Sequence, residues 1–567
     1  MKKLLLGFSL VLTLFSITNA QTWVWGEQGK LSTLAPRNTG VVATDEKGNV
    51  YMAGDCMDTI AFNKDTLINN GYNAFLVKYN SDGTVKWVKG AKGSAISWSN
   101  SIATYKGAVV VAGGFMDTVS FGAYTLYGTK LVPNLLLVKY DSNGNVLWAK
   151  QSYCTPHGGI LQVGLTTIDN AGNIYVTGNY TDTISFGKDT LRTTGSNIFL
   201  IKYDANGSEL WVKESEGGTV NSITQNKDKV WLTGVFRDSC SFGTFKLTAP
   251  FPYGSAFIAE YDTSGNTLWV RQSTSTAASS YVEGDAITSD AAGNTYITGI
   301  LADTINFGAF MLSTPNNVQA AVFLAKYDVN GNVLWAEETS SLNYIGADVL
   351  SNVCHDTNGY VYMLFRADTS SVKFGGYTFS GSYSRSYYNG LLCIAKINSS
   401  GLVQCGSAEE SYFIPRTING ITADHSGDYV YTSGDLQNIT MHFGPDVLTG
   451  ANIQLPYVAR WQPCVVVSGI DEAEPQTQTT LLYPNPSNGV FTIEAKNEKL
   501  KAKSVVEIYD MLGKEIYSNT LSIQNLSAGQ AGSKFNIDIG SQSPGVYLYR
   551  VVSESGQMLG SGKFVIE

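Results

Sequence analysis

Few side chains in this sequence are spaced for covalent chemistry. The four histidines, His157, His355, His425 and His442, stand far apart, and none forms HExxH or another close metal-ligand pattern. His355 and His425 share one turn position of a repeated unit, which reads as a solvated turn residue rather than a catalytic one. Neither a G-x-S-x-G nucleophile elbow nor a G-x-x-x-x-G-K-[ST] phosphate loop occurs. The turns DSNGN, DTSGN and DVNGN, which start at Asp141, Asp262 and Asp328, are oxygen-rich enough to suggest calcium. A calcium loop needs ligands at alternate positions and a distant bidentate carboxylate. Gly is misplaced for that here and no suitable Glu follows, so Asx side chains bonding their own turn account for these residues without metal. No metal and no cofactor is expected. A further Asp recurs as Asp58, Asp117, Asp182, Asp238, Asp303 and Asp368, usually followed by Thr and, three residues after that, Phe. One such Asp per unit could line a ring, yet a repeated structural hydrogen bond explains the period better than one asymmetric active site does.

The residues best suited to recognition are aromatic. Trp98, Tyr127, Tyr253, Tyr281, Tyr344, Tyr383, Tyr387 and Tyr388 fall in segments of variable length between the repeated phrases. Exposed rings suit sugar stacking or a protein hot spot. Filling between sheets is the alternative at each position.

What must position them is an array. The phrase IFLIKYDANGSELWVK at 198–213 puts a turn with Asn and Gly between two β-prone runs, a hairpin signature. It recurs at 75–89, 135–150, 257–271 and 322–337, and in worn form at 391–406. Before each hairpin come two shorter runs. The second of these ends in Gly54, Gly113, Gly178, Gly234, Gly299 and Gly434, with Phe365 in the sixth place. Runs apolar at nearly every position belong to sheets buried on both faces. Four short strands per unit, repeated seven times, predict an all-β fold: a seven-bladed β-propeller, with a β-helix as runner-up. The hairpin Trp recurs as Trp87, Trp148, Trp211, Trp269 and Trp335, with Cys405 in the sixth slot, and the last unit lacks that strand. TWVWGEQG at 22–29 matches KWVKGAKG at 86–93, which places Trp23 in register with Trp87 and makes the N-terminal strand the closing strand of the last blade. Two connections per unit are tight Asx-Gly turns and two vary, so the variable pair marks the binding face.

These units resemble the SBBP β-propeller repeats of exported bacterial proteins, over 21–467. The resemblance specifies fold more than activity. The hairpin phrase is also similar to the tryptophan-docking motif of quinoprotein propellers. Its Asp-to-Gly interval is one residue shorter, and no adjacent Cys pair exists, which counts against a quinone cofactor. The Asp-box of sialidases matches only approximately.

Composition agrees with an exported β protein. Charged residues make up 15% and aromatics 12% of the 567 residues, far from a disordered composition. The net charge of −9 argues against nucleic-acid or anionic-membrane binding. Residues 1–20 read as a signal peptide: Lys2 and Lys3, an apolar run, then Thr18-Asn19-Ala20. That run is too short to span a membrane, and no comparable run follows. The seven cysteines, Cys56, Cys154, Cys240, Cys354, Cys393, Cys405 and Cys464, show no metal spacing. Cys393 and Cys405 flank one hairpin turn and are the first candidates for a disulfide, while burial as small apolar residues fits equally well.

Residues 468–479, SGIDEAEPQTQT, form a polar linker, and 480–567 have new phrasing with short strands that suggest a small β-sandwich. Tyr483-Pro484-Asn485-Pro486 with Gly489 and Phe491, then Gly513-Lys514, then Pro544-Gly545-Val546-Tyr547 and Lys563, resemble the type A C-terminal sorting domain of the type IX secretion system. That resemblance implies the secretion machinery as a partner and a secreted or outer-membrane surface-attached destination via the periplasm. The expected protein is monomeric and non-enzymatic. It would bind a glycan or a protein at the bacterial surface, with a glycan-degrading hydrolase or lyase carrying axial carboxylates as the alternative.

Overall fold

A computed structural model describes residues 22–31, 40–93, 96–155, 158–249, 254–275, 280–314, 320–340, 351–367, 369–381, 389–412, 418–436, 440–450, 455–464, 480–495, 504–510, 515–521, 533–553 and 558–567. These are strands, turns and bends, and none of the described residues forms a helix long and apolar enough to cross a membrane. The chain divides into two compact units, Met1–Val466 and Val467–Glu567.

In the first unit the described residues build seven sheets around four antiparallel strands each, with four separate two-stranded hairpins beside them. Their first strands are Val41–Thr44, Ile96–Tyr105, Gly159–Ile168, Thr219–Asn226, Tyr281–Ser289, Ser351–His355 and Ile418–Ala423. Each first strand lies against the first strand of the next sheet, and Ile418–Ala423 lies against Val41–Thr44. There Thr44 Oγ1 donates to the Ala423 carbonyl at 2.8 Å. Third strands are buried on both faces, as the apolar runs require: Ile198, Phe199, Leu200 and Ile201 are all at most 2% exposed. The turn that follows is held by Asp204, which accepts from the N–H groups of Asn206 and Ser208 at 2.9 and 2.7 Å.

The second-strand glycine has a packing cause. In most sheets the first strand bulges opposite it, as between Val220 and Ser222 or Gly284 and Ala286. A Cβ on Gly113, Gly234 or Gly299 would run into the carbonyl oxygen of Trp98, Thr219 or Glu283. In the sixth sheet Phe365 replaces the glycine, and there Ser351–His355 pairs with Val361–Ala367 without a register shift. Bulge and glycine disappear together.

The recurrent Asp is explained by backbone and core. Asp117, Asp182, Asp238 and Asp303 adopt φ of 64°, 58°, 60° and 71°, a left-handed conformation that Asp tolerates better than most residues. Each turns its chain into the extension beyond the second strand, whose Phe is buried: Phe307, for example, lies 4.7 Å from Phe323 between ring centroids. Asp368 lies outside the described residues.

Three expectations need correction. Thr22–Gln28 does pair antiparallel with Leu455–Gln462, but Trp25 rather than Trp23 takes the repeated slot. Trp25 stands opposite Arg460 as Trp87 stands opposite Lys78. A bulge between Trp23 and Trp25 leaves Trp23 where the other sheets have Val85 and its counterparts, against Phe443 at 4.8 Å. The disulfide joins Cys405 to Cys464, not to Cys393. Across the hairpin Cys405 faces Lys396 while Cys393 faces Ala408, so the two candidates are out of register. His355 is not a solvated turn residue either: it ends a strand, half-buried, with Nδ1 2.7 Å from Thr288 Oγ1.

The second unit has two sheets around a shared core. Thr480–Tyr483, Val490–Ala495 and Ser533–Asp538 form one, and Ser504–Asp510, Glu515–Leu521, Gly545–Ser553 and Met558–Ile566 form the other. Phe491, Ile493, Ile537, Val506, Ile508, Val551 and Phe564 are buried together.

Gly234→Ala is expected to lower unfolding stability by about 2 kcal/mol or more through the carbonyl clash. Gly195, with no heavy atom within 4 Å of a built Cβ, should accept Ala within roughly 0.5 kcal/mol. Denaturant melts of the two variants check this.

Candidate functional site

The two ends of each sheet differ chemically. In an antiparallel meander the first and third connections share one end, and the second lies at the other. At the first end the acids serve their own turns. Asp290 accepts from the N–H groups of Ala292 and Asn294 at 3.0 and 2.9 Å and from the Tyr296 hydroxyl at 3.1 Å. Asp45, Asp169 and Asp356 repeat this with Tyr51, Tyr175 and Tyr362. In the hairpin turns, partial burial pushes Asp141 up, but hydrogen bonds from the Asn145 side chain and the turn N–H groups outweigh it and hold its carboxyl below the usual range. These carboxylates are occupied by the turn itself.

The opposite end is different, and most of all in the fifth sheet. Tyr281–Ser289 reads YVEGDAITS and begins at this end. Tyr281 donates its hydroxyl to Glu283 Oε2. From the fourth sheet Asn221, standing at a bulge, donates Nδ2 to Glu283 Oε1 at 2.7 Å and to the Gly284 carbonyl at 3.0 Å. Asp285, also at a bulge, accepts the Ser351 hydroxyl and N–H from the sixth sheet at 3.0 and 3.3 Å. The sixth sheet's Asn352 reaches the Asn419 carbonyl of the seventh at 3.4 Å. A polar chain thus crosses four neighbouring first strands.

Glu283 and Asp285 are two residues apart on one strand, with Asp285 at its bulge. Asp285 keeps some solvent access, yet the protein crowds it closely enough that burial first, and the Glu283 charge second, push its carboxyl well up despite the Ser351 bonds. Burial, then Glu283 and Asp285, likewise raise the Tyr281 phenol, which Arg237 partly offsets. The arrangement pairs a carboxylate acceptor with a carboxyl inclined to keep its proton. Such a pair can receive and donate hydrogen bonds to hydroxyl groups, or protonate a leaving oxygen.

Of the predicted aromatics, Tyr281 belongs to this cluster. Trp98 starts in the second sheet and lays its indole over Gly114, half-buried, which is filling. Tyr127 ends a separate two-stranded hairpin, Thr118–Phe121 with Tyr124–Tyr127, and is 65% exposed. Tyr253, Tyr344, Tyr383, Tyr387 and Tyr388 lie outside the described residues. Sequence reasoning missed Glu283, Asp285, Asn221 and Ser351. The available signal was two acids inside a run that is otherwise apolar or small.

In the second unit the motif residues brace its end. Asn485 accepts the Val565 N–H at 2.9 Å, and Tyr547 stacks on Phe564. Tyr483 is partly exposed, Gly545 opens its strand, and Lys563 pairs with Leu548 in the last one. Pro484, Pro486 and Gly489 lie on the segment between the first two strands. Gly513 and Lys514 lie outside the described residues.

Residues 481–567 match the profile of the secretion system C-terminal sorting domain. An uncharacterized WD repeat-containing protein of Acanthamoeba polyphaga mimivirus is 29% identical over 224 residues, covering 35% of this chain and 15% of that protein's length. Among solved structures, a protein of unknown function from Bacteroides caccae covers 66% of this chain and 94% of its own, at 10% identity and a TM-score of 0.28. The parainfluenza virus 5 hemagglutinin-neuraminidase ectodomain covers 78% and 86%, at 9% identity and 0.31. Such scores establish no shared fold. The sorting tail, by contrast, marks the protein for export by type IX secretion to a secreted or outer-membrane surface-attached state.

Because the Asp285 carboxyl is raised, the folded protein holds this proton more tightly than the unfolded chain does. Its stabilising contribution is present below the ordinary carboxylate range and is lost as pH rises through the elevated folded value. Asp285→Asn should therefore raise unfolding stability at neutral pH and give no gain at about pH 4, read from thermal melts across pH.

Proposed function

We propose that the seven sheets are the blades of a closed β-propeller of SBBP-type repeats over 21–467, closed by the strand Thr22–Gln28. A linker at 468–479 then leads to a type A sorting sandwich at 480–567. The neighbouring first strands and the pairing of Thr22–Gln28 with Leu455–Gln462 support this reading. The exported protein is a monomeric, non-enzymatic binding protein that recognises a glycan or a protein at the bacterial surface.

One observation carries the reading. The tight-turn end spends its polar groups on itself, whereas the other end of the fifth sheet groups Tyr281, Glu283 and Asp285 with Asn221 and Ser351. A ring edge and two carboxyl groups, one with its pKa pushed up, suit a polyhydroxylated ligand. A second reading, hydrolysis or lysis of a glycan, is favoured by one specific feature. Glu283 and Asp285 offer two carboxyl groups on one strand, and burial and the neighbouring charge raise one of them, as a general acid requires.

A glycan array and a surface-protein binding screen on the secreted protein, run beside a hydrolase and lyase panel, test both. Binding that falls about tenfold or more in Glu283→Gln and Tyr281→Phe is expected. Sugar turnover that Asp285→Asn abolishes would overturn the binding-only reading.

A further inference from the structure

Six junctions between neighbouring sheets are built alike. A fourth-strand Trp lies over the Gly of the next sheet's hairpin turn, and in five of them its indole N–H reaches a turn carbonyl. Trp87 bonds Ser142 at 3.3 Å, Trp148 bonds Ala205 at 3.3 Å, and Trp211 bonds Thr263 at 3.1 Å. Trp335 bonds Ser399 at 3.0 Å, and Trp25 bonds Ser81 at 3.2 Å. Trp269 covers Gly331, and Arg271 supplies the N–H groups to Asn330 and Gly331.

The seventh junction, from the sixth sheet to the seventh, cannot be built this way. The seventh sheet takes its fourth strand from the N-terminus, so no hairpin turn follows Leu455–Gln462. Cys405 stands in the Trp slot, opposite Lys396, and is bonded to Cys464 just past that strand. Lys396 Nζ donates to the Cys464 carbonyl at 3.3 Å, as Lys78 Nζ donates to that of Ser142 at 3.0 Å. Cys464 therefore fills the place of the turn.

The seventh sheet is also poorly satisfied within itself. Its first turn is one residue longer, running from Asp424 to Tyr429, and the Tyr431 hydroxyl lacks the Asp partner that Tyr51, Tyr175, Tyr296 and Tyr362 have. Trp23 Nε1, Trp461 Nε1 and Ser433 Oγ are buried without a protein partner among the described residues. Buried polar groups left unpaired weaken the element that carries them.

We propose that Cys405–Cys464 is an oxidative lock on the sheet where the two ends of the first unit meet. With both thiols reduced, this sheet opens ahead of the other six, and it becomes firm on export to an oxidising compartment. The two thiols lose two protons and two electrons to the disulfide of an exchange partner, which leaves as two thiols. The inference rests on the strand pairing and leaves the ligand reading aside.

Hydrogen exchange on the full chain tests it, comparing oxidised protein, protein treated with a dithiol reductant, and a Cys405→Ser/Cys464→Ser variant. Reduction should speed exchange about tenfold or more in 430–436 and 455–462, with little change in 174–185 and 255–262. The reductant should add nothing in the double variant, which separates the lock from the other cysteines, Cys56, Cys154, Cys240, Cys354 and Cys393. Unchanged exchange on reduction, or an equal rise in all sheets, would overturn the proposal. If the double variant does not fold, the wild-type reductant arm still decides. Rapid exchange of 22–28 in oxidised protein, with 455–462 protected, would instead defeat the closure reading.

Discussion

The contact on which the first unit depends is an indole laid over a glycine. Each fourth-strand Trp needs a flat, Cβ-free surface on the adjoining turn, and each hairpin turn needs a residue at positive φ, as at Gly207 with 79°. One glycine answers both demands: a Cβ there would stand 3.1 Å from the ring of Trp148. The Lys two residues before the turn Asp adds a second tie. Lys202 lies 4.9 Å over the Tyr175 ring and donates to the Thr263 carbonyl at 3.1 Å. Burial lowers its pKa, partly offset by Asp169 and Asp262. Among the described residues, sheets with no backbone hydrogen bond between them at this end are thereby joined by side chains of the repeated phrase.

This is why much of the architecture was legible from sequence. The hairpin phrase records a strand pair, its turn and its docking partner together. What slipped were features that depend on register. Trp23 and Trp25 are alternative matches to one motif, and only the bulge between them decides which meets Ser81. Cys393 and Cys405 flank a turn, yet the bulge after Lys396 and the arrival of Cys464 from another sheet set the pairing. The Glu283 and Asp285 cluster was hidden for a related reason. Its partners Asn221 and Ser351 are more than sixty residues away in sequence and meet it only through adjacency of first strands.

The same adjacency divides labour within each sheet. One end is closed by short turns whose carboxylates are saturated by their own N–H groups, leaving little to offer a partner. At the other end the bulges turn amides and carboxyls away from the ladder, at the cost of a glycine on the neighbouring strand. The exception at Phe365 shows that the bulge is a local choice, made sheet by sheet, so the polar surface can be individual although the scaffold is periodic.

The position of Cys464 has a mechanical consequence. It stands two residues past Leu455–Gln462, so a pull on the chain beyond it reaches a covalent cross-link before it reaches that strand's ladder with Thr22–Gln28. The force passes to Cys405, on the fourth strand of a different sheet. A protein dragged by its downstream end would in this way yield elsewhere before its terminal strands unzip.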